Sequence, residues 1–313
     1  MSAIAANLTH RAWQVKVSAC EALARIGDDA AVEPLIERID LEGGRVHEEI
    51  RLALKALTGM DKEWRAQTWR EWWEKEKRYR ELEKRSREAL GEKKPKAPAD
   101  DGYAKREDPP PTYYGIRVFA RTVGYVLDTS ASMRQGFEVS KAWEERLGRP
   151  YRERTRIGVC REELAHSIRS LDPRTRINLY FFGDHAKAWQ PIPVAVGAMG
   201  DNAISAARHT AATGQTNYYD ALRLVLGLPE EGSGWSASFA DTPDTLFFLT
   251  DGLPTKGELT RGDELLAWFG ERNRFARLRV HVIAMGRAGV DEEFLKAFAT
   301  SNGGVFVNLG GTH

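Results

Sequence analysis

Apolar residues follow two different spacings along the chain, and the change falls between residues 92 and 112. Before this stretch they recur every three or four residues, which is typical of amphipathic helices. After it they occur in short continuous runs, which predict strands at 123–127, 177–182, 245–249, 280–285 and 305–309. Between the runs, helical spacing such as that of Ile157, Cys160 and Leu164 predicts intervening helices. Strands without polar alternation, separated by helices, predict an α/β fold with a doubly wound, mostly parallel sheet.

The first quarter of the chain contains a self-similar pair of helical patterns. The second copy repeats the first at a constant offset, with apolar positions at Val15, Ala22, Leu23 and Ile26 and then at Val46, Ala53, Leu54 and Leu57. Each copy ends near a glycine, Gly27 or Gly59, which suits a helix C-terminus. A repeated helix–turn–helix unit predicts an α-solenoid. The pattern resembles the short HEAT-like repeats of bacterial proteins, which implies a second interaction or scaffold surface.

A tryptophan-rich segment follows the second repeat. Trp69, Trp72 and Trp73 lie three and four residues apart, so a helix places them on one face. Such a face could stack on a ligand, but we interpret it as core that closes the exposed end of a two-repeat solenoid.

A proline-rich and charged stretch separates the two parts of the chain. Residues 92–112 contain five prolines and almost no large apolar side chain, which is typical of an extended linker. The sequence therefore predicts an all-α, HEAT-like domain at 1–91, a linker at 92–112 and an α/β domain at 113–313.

Composition narrows the classes of function and the compartment. Of the 313 residues, 42% are hydrophobic and 10% aromatic, which is enough for a packed core. Lys and Arg number 46 against 45 Asp and Glu, and a net charge of +1 gives no overall attraction to nucleic acid or anionic membranes. No apolar run approaches the roughly 18 residues of a membrane span, and the N-terminus lacks a secretory pattern. Because Cys20 and Cys160 lie far apart in helical patterns, we expect no disulfide framework and a cytoplasmic location.

Oxygen-bearing side chains follow the first predicted strand and recur at two later places. Asp128, Ser130 and Ser132 come directly after the first strand. Asp251 follows the third strand, and Thr216 lies in a glycine-led loop just before a helix. Because open α/β sheets bind ligands at the carboxyl ends of their strands, we expect these five residues to meet at one edge of the sheet.

This candidate set supplies three hydroxyls and two carboxylates, without a histidine or a thiolate. Hard divalent cations prefer oxygen ligands, so the set predicts a Mg²⁺ site, with Mn²⁺ or Ca²⁺ as further candidates. Mg²⁺ commonly keeps water in several positions, and a carboxylate from a protein partner can displace one of these waters. Taken singly, the same residues would be a helix N-cap at Asp128 and ordinary turn residues at Ser130 and Ser132.

The three segments together resemble the metal-ion-dependent adhesion site of von Willebrand factor type A domains. D-T-S-A-S-M, at 128–133, matches the family's D-x-S-x-S motif. Thr216 matches the second segment, and Asp251 in L-T-D-G-L-P-T matches the third. The resemblance covers residues 113–311 and implies a Rossmann-like domain that binds a partner without catalysing a reaction.

The resemblance also implies a role for each residue of the site. Ser130, Ser132 and Thr216 are expected to coordinate the metal directly. Asp128 and Asp251 are expected to act largely through water or hydrogen bonds and to supply charge.

Two features depart from the family pattern. Many members have glycine where this chain has Ala131, whose methyl group narrows the approach of a ligand. The helix after the first loop begins only near Thr155, so residues 133–155 form an insert beside the site. Its apolar residues, such as Trp143 and Tyr151, predict ordered packing. We expect the insert to shape partner choice or partly to cover the metal.

The favoured function is a non-enzymatic, metal-dependent protein-binding module. One alternative is an RNA-binding protein similar to the Ro family, which also joins helical repeats to an A domain. Another is a non-catalytic A-domain subunit of an ATP-driven chelatase or remodelling complex. No H-E-x-x-H, G-x-S-x-G or phosphate-loop pattern occurs, so we predict no catalytic residues. We interpret His281 as a packed core residue and Asp184 as the cap of a turn.

Overall fold

The chain divides into two units, residues 1–109 and 110–313. The computed structural model describes residues 2–62, 65–90, 111–228, 242–286 and 289–310. Most of the predicted linker at 92–112 lies outside the described residues; its last residue, Thr112, already belongs to a strand. Cys20 and Cys160 are both buried and free. In the described parts of the chain, no helix is long and apolar enough to cross a membrane.

The described part of the N-terminal unit is helical. Its helices are α1 (Ser2–Ala6), α2 (Trp13–Ile26), α3 (Val32–Ile39), α4 (Gly44–Thr58) and α5 (Ala66–Leu90). Helices α2 and α4 end as predicted at Gly27 (φ 69°) and Gly59 (φ 77°), which take the left-handed conformation that glycine adopts without strain. Helix α4 packs against both α2 and α3, and α3 packs against α5. The assignment of these helices to HEAT-like repeats stays a prediction.

The tryptophan face of α5 belongs to the core of this unit. Trp69 is 0% exposed and Trp73 4% exposed, and both pack in the same cluster as Leu35 and Leu54. Trp72 is partly buried, with its ring edge-on to Trp69. The interpretation of this face as core is confirmed.

The C-terminal unit is built on a mostly parallel sheet, which confirms the predicted α/β fold class. Among the described residues its strands are β1 (Thr112–Tyr113), β2 (Ile116–Arg117), β3 (Thr122–Asp128), β4 (Arg176–Phe182), β5 (Ala186–Ala188), β6 (Val194–Ala195), β7 (Thr245–Thr250), β8 (Arg279–Ala284) and β9 (Phe306–Asn308). Strands β1 and β2 form a separate antiparallel pair. The main sheet has the order β5-β4-β3-β7-β8-β9, and β6 also pairs with β4. The predicted strands correspond to β3, β4, β7, β8 and β9, which pair in parallel; β5 and β6 run antiparallel to β4.

Helices cover both faces of this sheet. They are α6 (Lys141–Leu147), α7 (Arg156–Ser170), α8 (Val196–His209), α9 (Tyr218–Val225), α10 (Gly262–Ala276) and α11 (Glu292–Ser301). Side chains of β3 alternate between the faces: Tyr125 and Leu127 pack in a cluster with α7 and α8, whereas Val126 packs in a cluster with α9, α10 and α11. Because both faces are buried, the central strands are mostly apolar.

The parallel register places the ends of three strands at the same edge of the sheet. Asp128, the last residue of β3, is opposite Phe182, the last residue of β4. On the other side, Leu127 is opposite Leu249 of β7, so Thr250 and Asp251 follow at the same level. Two of the three segments predicted to hold a ligand, those after β3 and β7, therefore leave the sheet next to each other. The third, which contains Thr216, lies between α8 and α9.

The insert at 133–155 folds onto the C-terminal unit. It contains α6, and an antiparallel bridge between Gly136 and Thr155 closes it. Tyr151 is 5% exposed, and Trp143 packs against the same cluster. Ordered packing is confirmed, and α7 begins at Arg156 with Thr155 as its N-cap.

Two glycine substitutions test the packing of this unit. A Cβ atom on Gly304 would lie 1.8 Å from the carbonyl oxygen of Val280, whereas a Cβ atom on Gly270, inside α10, would meet no atom within 4 Å apart from its own neighbours in the helix. We expect Gly304→Ala to lower the free energy of unfolding by about 1–3 kcal/mol. The control, Gly270→Ala, should raise it by roughly 0.5–1 kcal/mol, because alanine favours the helix. Urea unfolding measures both; an unchanged stability for Gly304→Ala would contradict the packing described here.

Candidate functional site

The carboxylate of Asp128 lies buried at the end of β3 and is held by hydrogen bonds on both oxygens. The residue is 0% exposed. Its Oδ1 accepts from the backbone N–H of Ser130 at 2.8 Å, and its Oδ2 accepts from Oγ1 of Thr250 at 2.7 Å. Thr250 is the last residue of the neighbouring strand β7, and its Oγ1 also accepts from the hydroxyl of Tyr218 at 2.8 Å. The sheet itself therefore fixes this carboxylate.

A chain of hydroxyl hydrogen bonds joins the first predicted segment to the third. Oγ of Ser130 lies 3.0 Å from Oγ of Ser132. Oγ of Ser132 donates to Oδ1 of Asp251 at 2.8 Å. Ser130 and Asp251 are each 2% exposed, and Ser132 is partly buried. The structure thus brings two hydroxyls and a carboxylate from separate loops into direct contact.

The site is formed by three loops: the first carries Ser130 and Ser132, the second carries Gly214 and Thr216, and the third carries Asp251 and Thr255. Backbone hydrogen bonds attach the second loop to the other two. The N–H of Ala131 donates to the carbonyl of Gly214 at 3.0 Å, which holds the second loop against the first. The N–H of Thr216 donates to Oγ1 of Thr255 at 3.1 Å, and its carbonyl accepts from the N–H of Thr255 at 2.9 Å. Thr216 is 6% exposed. The second loop thus contacts the first loop through the backbone of Gly214 and the third loop through the backbone of Thr216.

A cation that the sequence analysis did not anticipate contacts the site. Nη1 of Arg156 donates to Oδ2 of Asp251 at 2.7 Å. The side chain of Asp251 is 0% exposed and that of Arg156 15% exposed. Arg156 is the first residue of α7, directly after the insert. Its position beside the third loop depends on how the insert folds, which no local pattern predicts.

Two buried carboxylates without compensating positive charge would be energetically unfavourable at this site. Burial, and to a lesser degree the nearby carboxylate of Asp251, raise the pKa of Asp128 to about 6, although hydrogen bonds from Ser130 and Thr250 oppose the shift. A buried carboxylate is costly unless it is paired or coordinates a metal. Arg156 supplies one positive charge for two carboxylates, so the site retains an attraction for a further cation.

The donor chemistry suits a hard cation. Within the described residues, no group of three or more His, Cys, Asp or Glu could hold a metal. A metal at this edge of the sheet would therefore depend on hydroxyl oxygens as well as on the two carboxylates. Ser130, Ser132, Thr216 and the carboxylates of Asp128 and Asp251 offer oxygen alone, which fits Mg²⁺ and not zinc or copper.

Asp184, which follows β4, lies beside the second loop and fastens it. Its Oδ1 accepts from the N–H of Gln215 at 3.4 Å and from Nζ of Lys256 at 3.1 Å. The pKa of Asp184 is lowered, mainly by the hydrogen bond from Lys256. It thus links the second loop to the third.

His281 is a core residue, as interpreted from the sequence. It is 5% exposed, and its Nδ1 accepts from the N–H of Val305 at 3.1 Å. Its ring stacks on that of Phe247, with 4.9 Å between the ring centroids. It therefore contributes to packing within the sheet.

Two threonines of β7 offer a matched test of the support of Asp128. Thr250→Val removes the donor to Oδ2 of Asp128, so we expect the free energy of unfolding to fall by about 1–3 kcal/mol. Thr245 is equally buried, and its Oγ1 has no hydrogen-bond partner among the described residues, so Thr245→Val should leave stability unchanged or raise it. Urea unfolding in the presence of a chelator compares them; equal effects would contradict the role given to Thr250.

Sequence comparison identifies one family. Residues 123–253 match the von Willebrand factor type A domain. No curated protein sequence matches the chain.

Solved structures with similar folds are distant in sequence. A von Willebrand factor type A protein from Catenulispora acidiphila is 13% identical, with a TM-score of 0.44, over 61% of this chain and 39% of that one. The SpRpn10 VWA domain is 14% identical, with a TM-score of 0.41, over 61% of this chain and 88% of that one. The conserved hypothetical protein BatB from Bacteroides thetaiotaomicron is 14% identical, with a TM-score of 0.40, over 61% of this chain and 91% of that one.

The matched residues begin in β3 and end just after Asp251, so they include all five candidate site residues. The parallel sheet, its helical layers and this match agree with one another. Residues 123–253, which lie within the C-terminal unit, are therefore similar to the von Willebrand factor type A domain.

Proposed function

We propose that the C-terminal unit is a metal-dependent protein-binding module. In this proposal Ser130, Ser132 and Thr216 coordinate Mg²⁺, and Asp128 and Asp251 hold the hydroxyls in place and supply charge. The bound metal captures a Glu or Asp side chain of a protein partner. The observation that carries the proposal is the hydrogen-bonded chain from Ser130 through Ser132 to Asp251, beside the second buried carboxylate.

Neutral hydroxyl ligands explain why such a metal would bind an acidic side chain. A hydroxyl donates less charge to Mg²⁺ than a carboxylate does, so the metal stays electrophilic. Mg²⁺ also commonly keeps water in several positions, and a carboxylate can replace one of these waters. Mn²⁺ prefers similar oxygen ligands and is a useful probe of the same site.

Domains of this family are in general interaction modules that catalyse no reaction, which supports a binding role. In the proposal, the N-terminal helical unit offers a second interaction or scaffold surface through HEAT-like repeats. A groove of about 390 Å³ between α2 and α4, lined in part by Glu21, Arg25 and Leu52, supports this view. The two buried free cysteines fit the cytoplasmic location favoured by the sequence.

Direct metal titration tests the first half of the proposal. We expect Mg²⁺ to bind the chelator-treated chain at one site and to raise its melting temperature, because a ligand of the folded state stabilises it. Asp251→Ala and Ser132→Ala should each abolish binding in isothermal titration calorimetry while leaving the fold largely intact. Ser170→Ala, whose hydroxyl donates to the carbonyl of Ser167 at the far end of α7, is the control. Undiminished Mg²⁺ binding by both site variants would refute the assignment.

A pull-down with Mg²⁺ and with EDTA in parallel tests the second half and identifies the partner. We expect partner binding to be lost in EDTA and in Asp251→Ala. Binding that persists in chelator would show that the partner does not depend on the metal.

The insert offers a test of partner choice. The N–H of Phe137 donates to the carbonyl of Arg154 at 2.8 Å, so a two-residue Asn-Gly turn can replace residues 138–153. We expect this deletion to weaken partner binding while the Mg²⁺ affinity measured by calorimetry is largely retained. Unchanged partner binding would exclude a role of the insert in recognition.

A further inference from the structure

Arg156 is the residue whose placement the proposed metal site does not by itself explain. Its guanidinium contacts Oδ2 of Asp251, while Oδ1 of the same carboxylate accepts from Ser132. Both oxygens of Asp251 are therefore engaged, one by a neutral hydroxyl and one by a full positive charge. The contact is buried on the carboxylate side and mostly buried on the arginine side.

The fold holds Arg156 at the site at some cost to local stability. As the first residue of α7, it places a cation at a helix N-terminus, where the helix dipole favours negative charge. Its Nε is buried and has no hydrogen-bond partner among the described residues. Neither feature stabilises the helix, so the contact with Asp251 is the interaction that accounts for the presence of arginine at this position.

The backbone on both sides of Arg156 restrains its position. Its N–H donates to the carbonyl of Gln135 at 3.0 Å, and the preceding Thr155 bridges to Gly136. The guanidinium is thus delivered from a paired segment that closes the insert. It is a fixed part of the site's charge and not a mobile surface side chain.

The count of charges shows what this fixed cation does. Two carboxylates and one guanidinium leave one net negative charge, and a divalent cation converts this to one net positive charge. Without the guanidinium, the loaded site would be neutral. The same positive charge therefore repels an incoming metal and attracts an incoming carboxylate.

We propose that Arg156 weakens the binding of the divalent cation at this site and, once the metal is bound, strengthens the binding of an acidic ligand. This inference rests on the proposed metal-dependent function. Arg156 acts through Asp251 and through its charge, so it is a positioning residue and not a metal ligand.

The test measures two affinities in the full chain with opposite expected changes. Electron paramagnetic resonance of free Mn²⁺ gives the metal affinity of the chelator-treated protein. Water-proton relaxation of the Mn²⁺-loaded protein then gives the affinity for acetate, the simplest carboxylate probe. Arg156→Gln should bind Mn²⁺ roughly tenfold more tightly and, once loaded, bind acetate several-fold more weakly. If Arg156 had a purely structural role, Arg156→Gln would weaken the binding of both Mn²⁺ and acetate.

Two further variants separate charge from folding. Arg156→Lys keeps the charge and should restore both affinities to within a few-fold of the unaltered chain. Arg154→Gln makes the same change in net charge at an exposed residue that pairs with Glu144, and it should change neither affinity appreciably. Thermal unfolding confirms that each variant folds.

The outcomes distinguish this inference from the function on which it rests. If the unaltered chain binds no Mn²⁺, both are overturned. If it binds Mn²⁺ and Arg156→Gln leaves the two affinities unchanged, or moves both in one direction, the inference fails and the metal site stands. Only opposite shifts, reversed by Arg156→Lys, support it.

Discussion

The burial of two carboxylates at one edge of a parallel sheet is the constraint on which the site depends. Asp128 and Asp251 are almost completely excluded from solvent, and a carboxylate in such a place must be compensated by hydrogen bonds, by opposite charge or by metal. Thr250 and Ser132 donate hydrogen bonds, and Arg156 adds one positive charge. This compensation is partial, and a hard divalent cation would complete it.

The sheet fixes the geometry of this arrangement. Parallel pairing in register brings the ends of β3, β4 and β7 to the same level, so the loops that carry Ser130, Asp184 and Asp251 start as neighbours. Backbone hydrogen bonds then tie the loops to one another, as between Ala131 and Gly214 and between Thr216 and Thr255. The site is therefore built on hydrogen-bonded backbone, and side chains need to supply only the last contacts.

Much of the fold could be predicted from the sequence because long apolar runs and helical spacing are local signals. The five parallel strands and the start of α7 follow directly from them. Strands β5 and β6, and the pair β1 and β2, were not predicted, because two or three residues carry no periodicity. Their pairing is decided by tertiary contacts that the local pattern does not contain.

The residues of the candidate site also fall into two groups, those that local sequence patterns predict and those that depend on tertiary contacts. The motif residues could be chosen in advance because each directly follows a strand or precedes a helix. Arg156 could not, because its partner Asp251 lies on a distant loop and its direction is set by the fold of the insert. Thr250 directly follows the predicted strand at 245–249, and the local pattern does not show that its hydroxyl supports Asp128. Residues that position others are the ones that sequence patterns reveal least.

Anomalous diffraction from crystals grown with Mn²⁺ tests the central claim most directly. A metal bound as proposed gives one strong peak at the manganese edge, within bonding distance of the hydroxyls of Ser130, Ser132 and Thr216. A crystal that holds Mn²⁺ elsewhere on the protein, or takes up none at this edge of the sheet, would contradict it.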